Sequence, residues 1–420
     1  PQPGKLEIRA TKPLANQRDL SRAYSPGVAE ACLEIKEDEN TASKYTSKGN
    51  LVAVISNGTA VLGLGNIGPG ASKPVMEGKA VLFKKFANID CFDIEVDEDN
   101  PQRLAEIVSS LEPTFGAINL EDIKAPDCFE VERLCKEKMK IPVFHDDQHG
   151  TAIVVGAAAV NAIELSNRKI ENTKIVAVGA GASGIACLEM LVKLGVKREN
   201  IWLSDSKGLI TKNRSEINEE KKRFAQGSNL SNLDDVIKDC DMFLGLSGPG
   251  VLTSKMVLKM NKQPIIFALA NPDPEINPAD ALKVAPDALI ATGRSDYPNQ
   301  VNNVLCFPFI FRGALDVGAT QINDEMKLAC IHAIANLARQ TSTAETVEAY
   351  QGEILKFGKE YLIPKPFDPR LLPNVAVAVA EAAMKSGVAS RPLKDVEAYK
   401  QKLEGSVYKL SLIHISEPTR

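Results

Sequence analysis

The chain has 420 residues, of which 44% are hydrophobic and 25% charged, and its formal net charge is −4. This length allows two domains with full cores, and the composition is that of an ordinary soluble globular protein. The nearly balanced charge gives no reason to expect a nucleic acid or a membrane surface as a partner, and no apolar run is long enough to span a bilayer. None of the eight cysteines forms a Cys-x-x-Cys pair. The sequence therefore predicts neither a zinc site nor a disulfide framework, and we expect a reducing, cytoplasmic location.

The first dense group of polar and turn-forming residues spans residues 21–30 and reads Ser-Arg-Ala-Tyr-Ser-Pro-Gly-Val-Ala-Glu. Its Ser-Pro-Gly turn precedes a run with helical spacing, Val28–Ile35. Tyr24 is therefore expected just before a helix N-terminus rather than inside a core element. The residues that precede this group are polar, and we expect them to lie on the surface or against a partner subunit.

A glycine-rich segment, residues 63–71, superficially resembles a dinucleotide fingerprint. We interpret it instead as a backbone cradle, because Pro69 interrupts it and no helix is expected to follow at once. A largely apolar helix is predicted to begin at Met76, and it carries three lysines. Lysines on helices generally face solvent, and two of the three fit that interpretation. Lys79 follows a glycine at the predicted helix start and is the candidate for a functional role.

Two pairs of adjacent acidic residues each follow a short apolar run that predicts a β-strand. They are Glu121-Asp122, after Ala117–Leu120, and Asp146-Asp147, after Ile141–Phe144. A helix predicted over Asp127–Lys138 separates the two runs, so the two strands are expected to be parallel neighbours. Both pairs would then emerge at the same sheet edge, where oxygen ligands favour Mg²⁺ or Mn²⁺. The alternative is that each pair is a solvated loop end.

A dinucleotide-binding fingerprint follows the strand predicted over Lys174–Val178. That strand leads directly into a loop and then a helix, and the loop residues are Gly179, Ala180, Gly181, Ala182, Ser183 and Gly184. Asp205 ends the next predicted strand, 21 residues after the last glycine. The glycines allow a tight turn and a close approach of the pyrophosphate, and the helix N-terminus favours its negative charge. In this context the motif is a specific indication of a dinucleotide cofactor.

Three further predicted strands each deliver a polar, turn-rich loop to the same sheet edge, at residues 247–250, 270–274 and 292–296. We therefore predict an α/β protein with two domains. The N-terminal α/β domain covers residues 1–150, and a small-residue helix, Ala152–Ala162, begins the second domain. That second domain, over 151–405, is a doubly wound, Rossmann-like dinucleotide-binding domain with a C-terminal helical extension. Residues 406–420 are predicted to form a tail that is partly non-native, because the last ten residues continue no pattern.

Five motifs together resemble the malic enzyme family, most closely its short bacterial type. In chain order they are Ser-Arg-Ala-Tyr-Ser-Pro-Gly-Val-Ala-Glu, Glu-Gly-Lys-Ala-Val-Leu-Phe-Lys, Asn-Leu-Glu-Asp-Ile, His-Asp-Asp-Gln-His-Gly-Thr-Ala and Gly-Arg-Ser-Asp-Tyr-Pro-Asn-Gln-Val-Asn-Asn. The resemblance implies oxidative decarboxylation of L-malate to pyruvate and CO₂, with a nicotinamide cofactor and Mg²⁺ or Mn²⁺. It also implies a homodimer.

The resemblance further implies roles for individual residues. The metal ligands would be Glu121, Asp122 and Asp147, the general base Lys79 and the general acid Tyr24. Asp146 would orient or charge Lys79, and the substrate would be held by Asn271, Asn302 and Asn303, with Asn271 also next to the cofactor. Larger eukaryotic members bind malate through an arginine that would fall between residues 52 and 63, and no arginine occurs there. The residue that holds the substrate carboxylate is therefore left open.

The choice of nicotinamide cofactor depends on the residues at the end of the second predicted Rossmann strand. Asp205 suits a free ribose 2′-hydroxyl and hence NAD. Ser206 and Lys207 offer a hydroxyl and a cation that could bind the 2′-phosphate of NADP. We expect NADP, with NAD as the alternative. Other functions open to these residues are a malate dehydrogenase without decarboxylation, a metal-dependent decarboxylase, and a nicotinamide-binding regulatory protein whose acidic pairs lie on the surface.

Overall fold

The computed structural model describes residues 3–61, 63–227, 232–350 and 352–413, with side chains described as far as residue 407. The chain begins with three short helices on the outside of the molecule: α1 (Gln17–Ala23), α2 (Val28–Glu37) and α3 (Ala42–Tyr45). None of the three contains a buried residue. The helix predicted after the Ser-Pro-Gly turn is therefore present, but it contributes nothing to the core.

Four parallel strands form the first sheet, in the order β2-β1-β3-β4. The strands are β1 (Leu51–Ser56), β2 (Asp90–Glu95), β3 (Ala117–Leu120) and β4 (Val143–His145), and the helices between them are α4 (Gly68–Ala87), α5 (Pro101–Ser110) and α6 (Asp127–Lys138). Every residue of β1 and of β3 is buried, as expected of parallel strands covered on both faces.

The start of α4 differs from the prediction. The helix begins at Gly68, well before Met76, so the glycine-rich segment leads directly into a helix. Pro69 lies in its first turn, where proline is favoured because the missing N–H would have no intrahelical partner. Proline therefore marks the beginning of this helix and does not exclude it.

Six strands form the second sheet, in the order β10-β9-β8-β5-β6-β7, and all pair in parallel except β7. They are β5 (Ile175–Val178), β6 (Ile201–Asp205), β7 (Gly208–Leu209), β8 (Met242–Gly245), β9 (Ile265–Ala268) and β10 (Leu289–Thr292). The strand order reverses at β5, which has β6 on one side and β8 on the other. This reversal is the point where doubly wound sheets bind their ligands.

Helix α7 (Asp146–Leu165) joins the two sheets and runs across the predicted domain boundary at residue 150. It starts at Asp146, not at Ala152 as predicted, and most of its residues are buried. Its small side chains let it pack closely against α8 (Ala182–Lys193). The remaining helices of the second sheet are α9 (Glu219–Lys222), α10 (Leu233–Val236), α11 (Ser254–Val257) and α12 (Pro278–Val284).

The chain ends in helices, as predicted: α13 (Phe307–Asp316), α14 (Asp324–Arg339), α15 (Ala344–Ala349), α16 (Leu371–Lys385) and α17 (Val396–Ile413). One hydrophobic core runs from β1 through α7 to four of these helices, α13, α14, α16 and α17. The predicted tail begins within α17, and its last residues, 414–420, lie outside the described part of the chain. Across the described ranges, no helix is both long enough and apolar enough to cross a bilayer.

Candidate active site

The two acidic pairs lie side by side at one edge of the first sheet. β3 and β4 are parallel neighbours, and Leu120, the last residue of β3, pairs with His145, the last residue of β4. Both acidic pairs therefore lie at the same height along the strand direction, immediately beyond the ends of the two strands. This arrangement confirms the predicted strand–helix–strand unit.

Three carboxylates converge at this edge, from Glu121, Asp122 and Asp147, and we call them the acidic cluster. One oxygen of each lies within 4.8 Å of the others. The Asp122 N–H donates to Asp147 Oδ2 at 2.8 Å, and Asn119 Nδ2 donates to Glu121 Oε2 at 2.8 Å. Asp122 has a φ of +53°, in the left-handed region that Asp tolerates better than most residues. Backbone conformation and hydrogen bonds thus hold the three acids together.

The acids of the cluster resist ionisation in this arrangement. Burial raises the pKa of Glu121 to about 8, and although Lys79 opposes the shift, Asp147 adds to it. Burial, with Glu121, raises the pKa of Asp122 to about 7, and burial, with Asp122, does the same for Asp147. A divalent cation among the oxygens would remove this repulsion.

The cluster fits Mg²⁺ or Mn²⁺. All its donors are oxygens, which these hard cations prefer. Two oxygens on opposite sides of Mg²⁺ lie about 4 Å apart, so the observed spread of 4.8 Å requires only small side-chain rotations. The predicted metal ligands therefore have the chemistry and the proximity that such an ion needs.

Lys79 lies on α4 with its ammonium inside the site, and its side chain is 11% exposed. Nζ is 3.0 Å from Glu121 Oε1, forms an ion pair with Asp146, and lies 4.1 Å from the centre of the Phe307 ring. Burial lowers the pKa of Lys79, but the carboxylates of Asp146 and Glu121 outweigh that effect and hold the pKa above its usual value. The side chain is thus a buried ammonium ion paired with two acids.

Asp146 is fully buried in the first turn of α7. Its Oδ2 accepts a hydrogen bond from Asn303 Nδ2 at 3.0 Å as well as the ion pair from Lys79, and Asn303 Oδ1 accepts from Thr151 Oγ1 at 3.1 Å. A side chain at position 150 would collide with this group, because a Cβ on Gly150 would lie 1.8 Å from Asp146 Oδ1. The absence of a side chain at Gly150 therefore leaves room for the Asp146 carboxylate.

The glycine fingerprint has the geometry of a pyrophosphate-binding turn. Gly179 has a φ of +107°, and a Cβ on Gly184 would lie 1.9 Å from the Gly179 carbonyl oxygen. A Cβ on Gly181 would meet nothing within 4 Å, so a ligand can approach the backbone there. The N-cap of α8 is Gly181, which has no side chain to cap the helix, so the N–H groups of its first turn are left for an anion. Ser183 Oγ donates to the Asp147 carbonyl at 2.8 Å and so connects the loop to the acidic cluster.

The Asp205 carboxylate already forms ion pairs with two cationic side chains. It accepts from Arg214 Nη1 at 3.0 Å and from Lys221 Nζ at 2.9 Å, and also from the Lys207 N–H at 2.9 Å. Burial opposes its ionisation, but the hydrogen bonds from Arg214 and Lys221 prevail and lower its pKa to about 2. The Lys207 ammonium pairs with Glu216 on the surface. Arg214 and Lys221 could not be predicted from the sequence, because no periodicity or motif marks them.

The three predicted substrate asparagines have different surroundings. Asn303 contacts Asp146, as described above. Asn271 follows β9 and packs against Gly293, on which a Cβ would lie 2.6 Å from Asn271 Nδ2. Asn302 Oδ1 accepts from the Val304 N–H at 2.9 Å and so caps a turn. Among the described residues, only Asn303 of the three bonds to the Lys79–Asp146 pair.

Tyr24 is separated from this buried group. It follows α1 and is 73% exposed, and its backbone bonds to Leu20 and Val28, whereas its side chain makes no hydrogen bond or ring contact with the described residues. Three large apolar side chains of α1 and α2, Leu20, Val28 and Leu33, are exposed as well. Within one chain the structure therefore does not bring Tyr24 into contact with Lys79.

Comparisons with known proteins agree on one family. The family model described as "Malic enzyme, N-terminal domain" matches residues 3–106, and "Malic enzyme, NAD binding domain" matches residues 148–350. An NADP-dependent malic enzyme of Halomonas elongata is 54% identical over 93% of each chain. The crystal structure of the malic enzyme from Pyrococcus horikoshii Ot3 has a TM-score of 0.87 and 42% identity, and the match covers 97% of this chain and 92% of that one.

Some relatives are much longer. An NADP-dependent malic enzyme of Haemophilus influenzae is 60% identical over 98% of this chain, but the match covers 55% of that relative. The chain thus spans about half the length of the curated relatives that it matches first.

Proposed function

The chain belongs to the malic enzyme family, and from that premise we propose that it converts L-malate to pyruvate and CO₂ while reducing NADP. The observation that carries the proposal is the buried Lys79, paired with Asp146 and Glu121, directly beside the acidic cluster. A base, an oxygen-lined cation site and a dinucleotide loop are the parts that this reaction needs. In this proposal residues 1–150 supply the base and all three carboxylates of the cation site, and residues 151–405 supply the dinucleotide site.

We propose that Glu121, Asp122 and Asp147 hold Mg²⁺ or Mn²⁺. Bound there, the cation would withdraw electron density from the C2 oxygen of malate and stabilise the negative charge that develops on it. The chain's own part is to keep the ligands in place. Asn119 holds Glu121, and the backbone of Asp122 holds Asp147.

Lys79 is the proposed base for the C2 hydroxyl proton. As long as Asp146 and Glu121 share their negative charge with no divalent cation, Lys79 is a stable ammonium ion, which cannot accept a proton. A cation held by Glu121 would share the charge of that carboxylate, and burial of Lys79 together with the weaker pairing would then favour the neutral amine. Lys79 can then take the hydroxyl proton as hydride leaves C2 for the nicotinamide. Asp146 keeps the amine directed into the site.

Tyr24 is the proposed acid that protonates the carbon left by CO₂. Because its side chain is exposed and does not touch Lys79, we propose that it acts in a homodimer, at the site of the second copy. The surrounding exposed apolar side chains, Leu20, Val28 and Leu33, support this, since contact with another chain would bury them.

Asn271, Asn302 and Asn303 are proposed to hold the substrate, and Asn271 also faces the cofactor. Their amides suit the carboxylates of malate, as N–H groups donate to carboxylate oxygens. Asn303 already bonds to Asp146, so it can place the substrate relative to Lys79.

NADP is the proposed cofactor. Arg214 and Lys221 neutralise Asp205, which therefore has little capacity left to accept a hydrogen bond from a ribose 2′-hydroxyl. The same two cations, with Lys207 and the Ser206 hydroxyl nearby, would attract a 2′-phosphate. The charge balance at the end of β6 thus favours NADP over NAD.

A single assay tests the proposed reaction. The protein is mixed with L-malate, Mn²⁺ and NADP, and reduced cofactor, pyruvate and oxaloacetate are measured. We expect reduced cofactor and pyruvate in equal amounts. Oxaloacetate without pyruvate would indicate a simple malate dehydrogenase, and decarboxylation without cofactor reduction would indicate a decarboxylase. No turnover would favour a regulatory protein.

The eight free cysteines support a reducing compartment, and we propose the cytoplasm.

A further inference from the structure

Glu132 is a buried acid that the proposed reaction does not use. It lies in α6, the helix that connects β3 to β4 and hence the two strands that present the acidic cluster. Glutamate is rarely buried without partners. Burial opposes its ionisation, but the hydrogen bond from His149 and the ammonium groups of Lys136 and Lys327 prevail and hold the Glu132 pKa well below its usual value. The side chain is therefore a buried carboxylate.

Glu132 binds both ends of the first turn of α7. Its Oε1 accepts from the backbone N–H of His145, immediately before the helix, at 3.3 Å. It also accepts from His149 Nε2, on the far side of that turn, at 2.7 Å. Asp146 and Asp147 lie between these two contacts. A carboxylate at this position also complements the partial positive charge of the helix N-terminus.

The second ring nitrogen of His149 fixes the direction of this contact. Nδ1 lies 3.3 Å from Nζ of Lys327, a buried residue of α14. An ammonium group can only donate, so Nδ1 accepts and Nε2 carries the proton that is donated to Glu132. Lys327, His149 and Glu132 thus form a directed chain from the C-terminal helices to the first turn of α7.

We propose that Glu132 is a positioning residue for the cation site, acting on Asp147 and Asp146 through His145 and His149. The inference rests on the proposed metal-binding role of Asp147. Asp147 is only half-buried, so the orientation of its carboxylate depends on how firmly its helical turn is held. Groups that orient a metal ligand typically alter metal affinity by about 10–100-fold when they are removed.

The test compares Mn²⁺ binding with NADP binding in the full chain. Free Mn²⁺ is measured by electron paramagnetic resonance, and NADP by the fluorescence of Trp202, the single tryptophan, which lies on β6. We expect Glu132→Gln to raise the Kd for Mn²⁺ at least about tenfold and to change the Kd for NADP by less than about twofold. The glutamine removes the negative charge, and with its oxygen in the place of Oε1 it sets its amide N–H against the N–H of His149 Nε2, which lies 3.0 Å from Oε2 of Glu132. Glu137→Gln, the same change at an exposed position of α6, is the matched control and should bind Mn²⁺ normally.

A second pair of variants applies if Glu132→Gln does not fold. His149→Gln keeps one donor and one acceptor and should retain Mn²⁺ affinity, whereas His149→Leu should lose it. Unchanged Mn²⁺ binding in Glu132→Gln or His149→Leu overturns the inference, as does an equal loss of Mn²⁺ and NADP binding, which indicates general damage. If the unaltered protein does not bind Mn²⁺, or Asp147→Asn binds it normally, the proposed metal site fails, and this inference fails with it.

Discussion

Asn303 donates a hydrogen bond to the Asp146 carboxylate at 3.0 Å, although the two residues are 157 positions apart in sequence. The same carboxylate oxygen pairs with Lys79. The proposed base is therefore held from two other stretches of chain, one at the start of α7 and one after β10. Because both contacts converge on the Asp146 carboxylate, which pairs with Lys79, this lysine is the first residue to test.

Replacing Lys79 with alanine should lower kcat for malate oxidation about 10²–10⁴-fold, the usual contribution of a general base. Mn²⁺ should still bind, since the change removes a cation from beside Glu121. Lys84→Ala is the matched control, because Lys84 lies on the same helix with its side chain 54% exposed, and it should behave like the unaltered protein. Steady-state kinetics and Mn²⁺ titrations measure both quantities. Near-normal turnover in Lys79→Ala would contradict the assignment of the base.

Gly150→Ala should disable the site by steric exclusion. The added methyl group would lie 1.8 Å from Asp146 Oδ1, so Asp146 must turn away from Lys79 or the helix must shift. We expect a lower Tm and a loss of malate oxidation. Gly405→Ala, also inside a helix but with no atom within 4 Å of the new Cβ, should instead leave Tm unchanged or raise it slightly. Thermal unfolding and activity of the two variants decide the point, and a fully active Gly150→Ala enzyme would refute it.

The first sheet and its crossover helix could be predicted from the sequence for a clear physical reason. Strands buried on both faces are continuous apolar runs, and α6 has one apolar side between two such runs. The bounds of β3 and α6 agree with the prediction. The start of α7 could not be predicted, because Asp146, Asp147 and Gly150 have the composition of a turn. Acidic residues are nevertheless favourable in a first helical turn, and Gly150 is there to accommodate Asp146.

Other parts of the site depend on contacts between distant residues, which leave no local pattern. Arg214 and Lys221 contact Asp205 from 9 and 16 positions downstream, and Lys221 does so from α9. In the sequence, Glu132 resembles an ordinary solvent-exposed charged residue of a helix. Only its contact with His149 in the folded chain distinguishes it. Tyr24 could be located before α2, but its exposure could not be foreseen, because exposure depends on what the surrounding chain covers.

Removing divalent cations should make stability fall as pH rises. Burial raises the pKa of Glu121 to about 8 and of Asp122 and Asp147 to about 7, so each binds its proton more tightly in the folded than in the unfolded chain. The resulting stabilisation is fully present below about pH 4, and it is lost as pH rises through the pKa values of the folded state. With chelator present, we expect Tm to decrease between about pH 5 and pH 8, and Mg²⁺ to restore it most at the upper end. A weaker pH dependence is expected for Asp147→Asn, and an identical one would count against the cluster as its source.

Mixing two impaired variants tests whether Tyr24 acts at the site of a second copy. Tyr24→Phe should slow pyruvate formation from oxaloacetate, because the enolate lacks its proton donor, and Lys79→Ala should lack the base. In a mixed dimer, one site would combine Lys79 of one chain with Tyr24 of the other, so activity should return after subunit exchange. Each variant mixed with itself is the control. If no activity returns although mixed dimers form, Tyr24 does not act across the dimer, and normal oxaloacetate decarboxylation in Tyr24→Phe removes it as the acid.

The preference for NADP should depend on the cations around Asp205. A hydrogen bond to a charged group contributes about 1.5–3 kcal/mol, so Lys221→Ala should lower kcat/KM for NADP about 10–100-fold. The value for NAD should change little, because NAD has no 2′-phosphate. Lys207→Ala should have a smaller effect, since its ammonium already pairs with Glu216 on the surface, where solvent weakens such contacts. Lys255→Ala, an exposed lysine elsewhere in the same half of the chain, is the control. If the ratio of the two kcat/KM values is unchanged in both Lys221→Ala and Lys207→Ala, these cations do not select the cofactor, and the occupied Asp205 carboxylate must be explained as a structural ion pair alone.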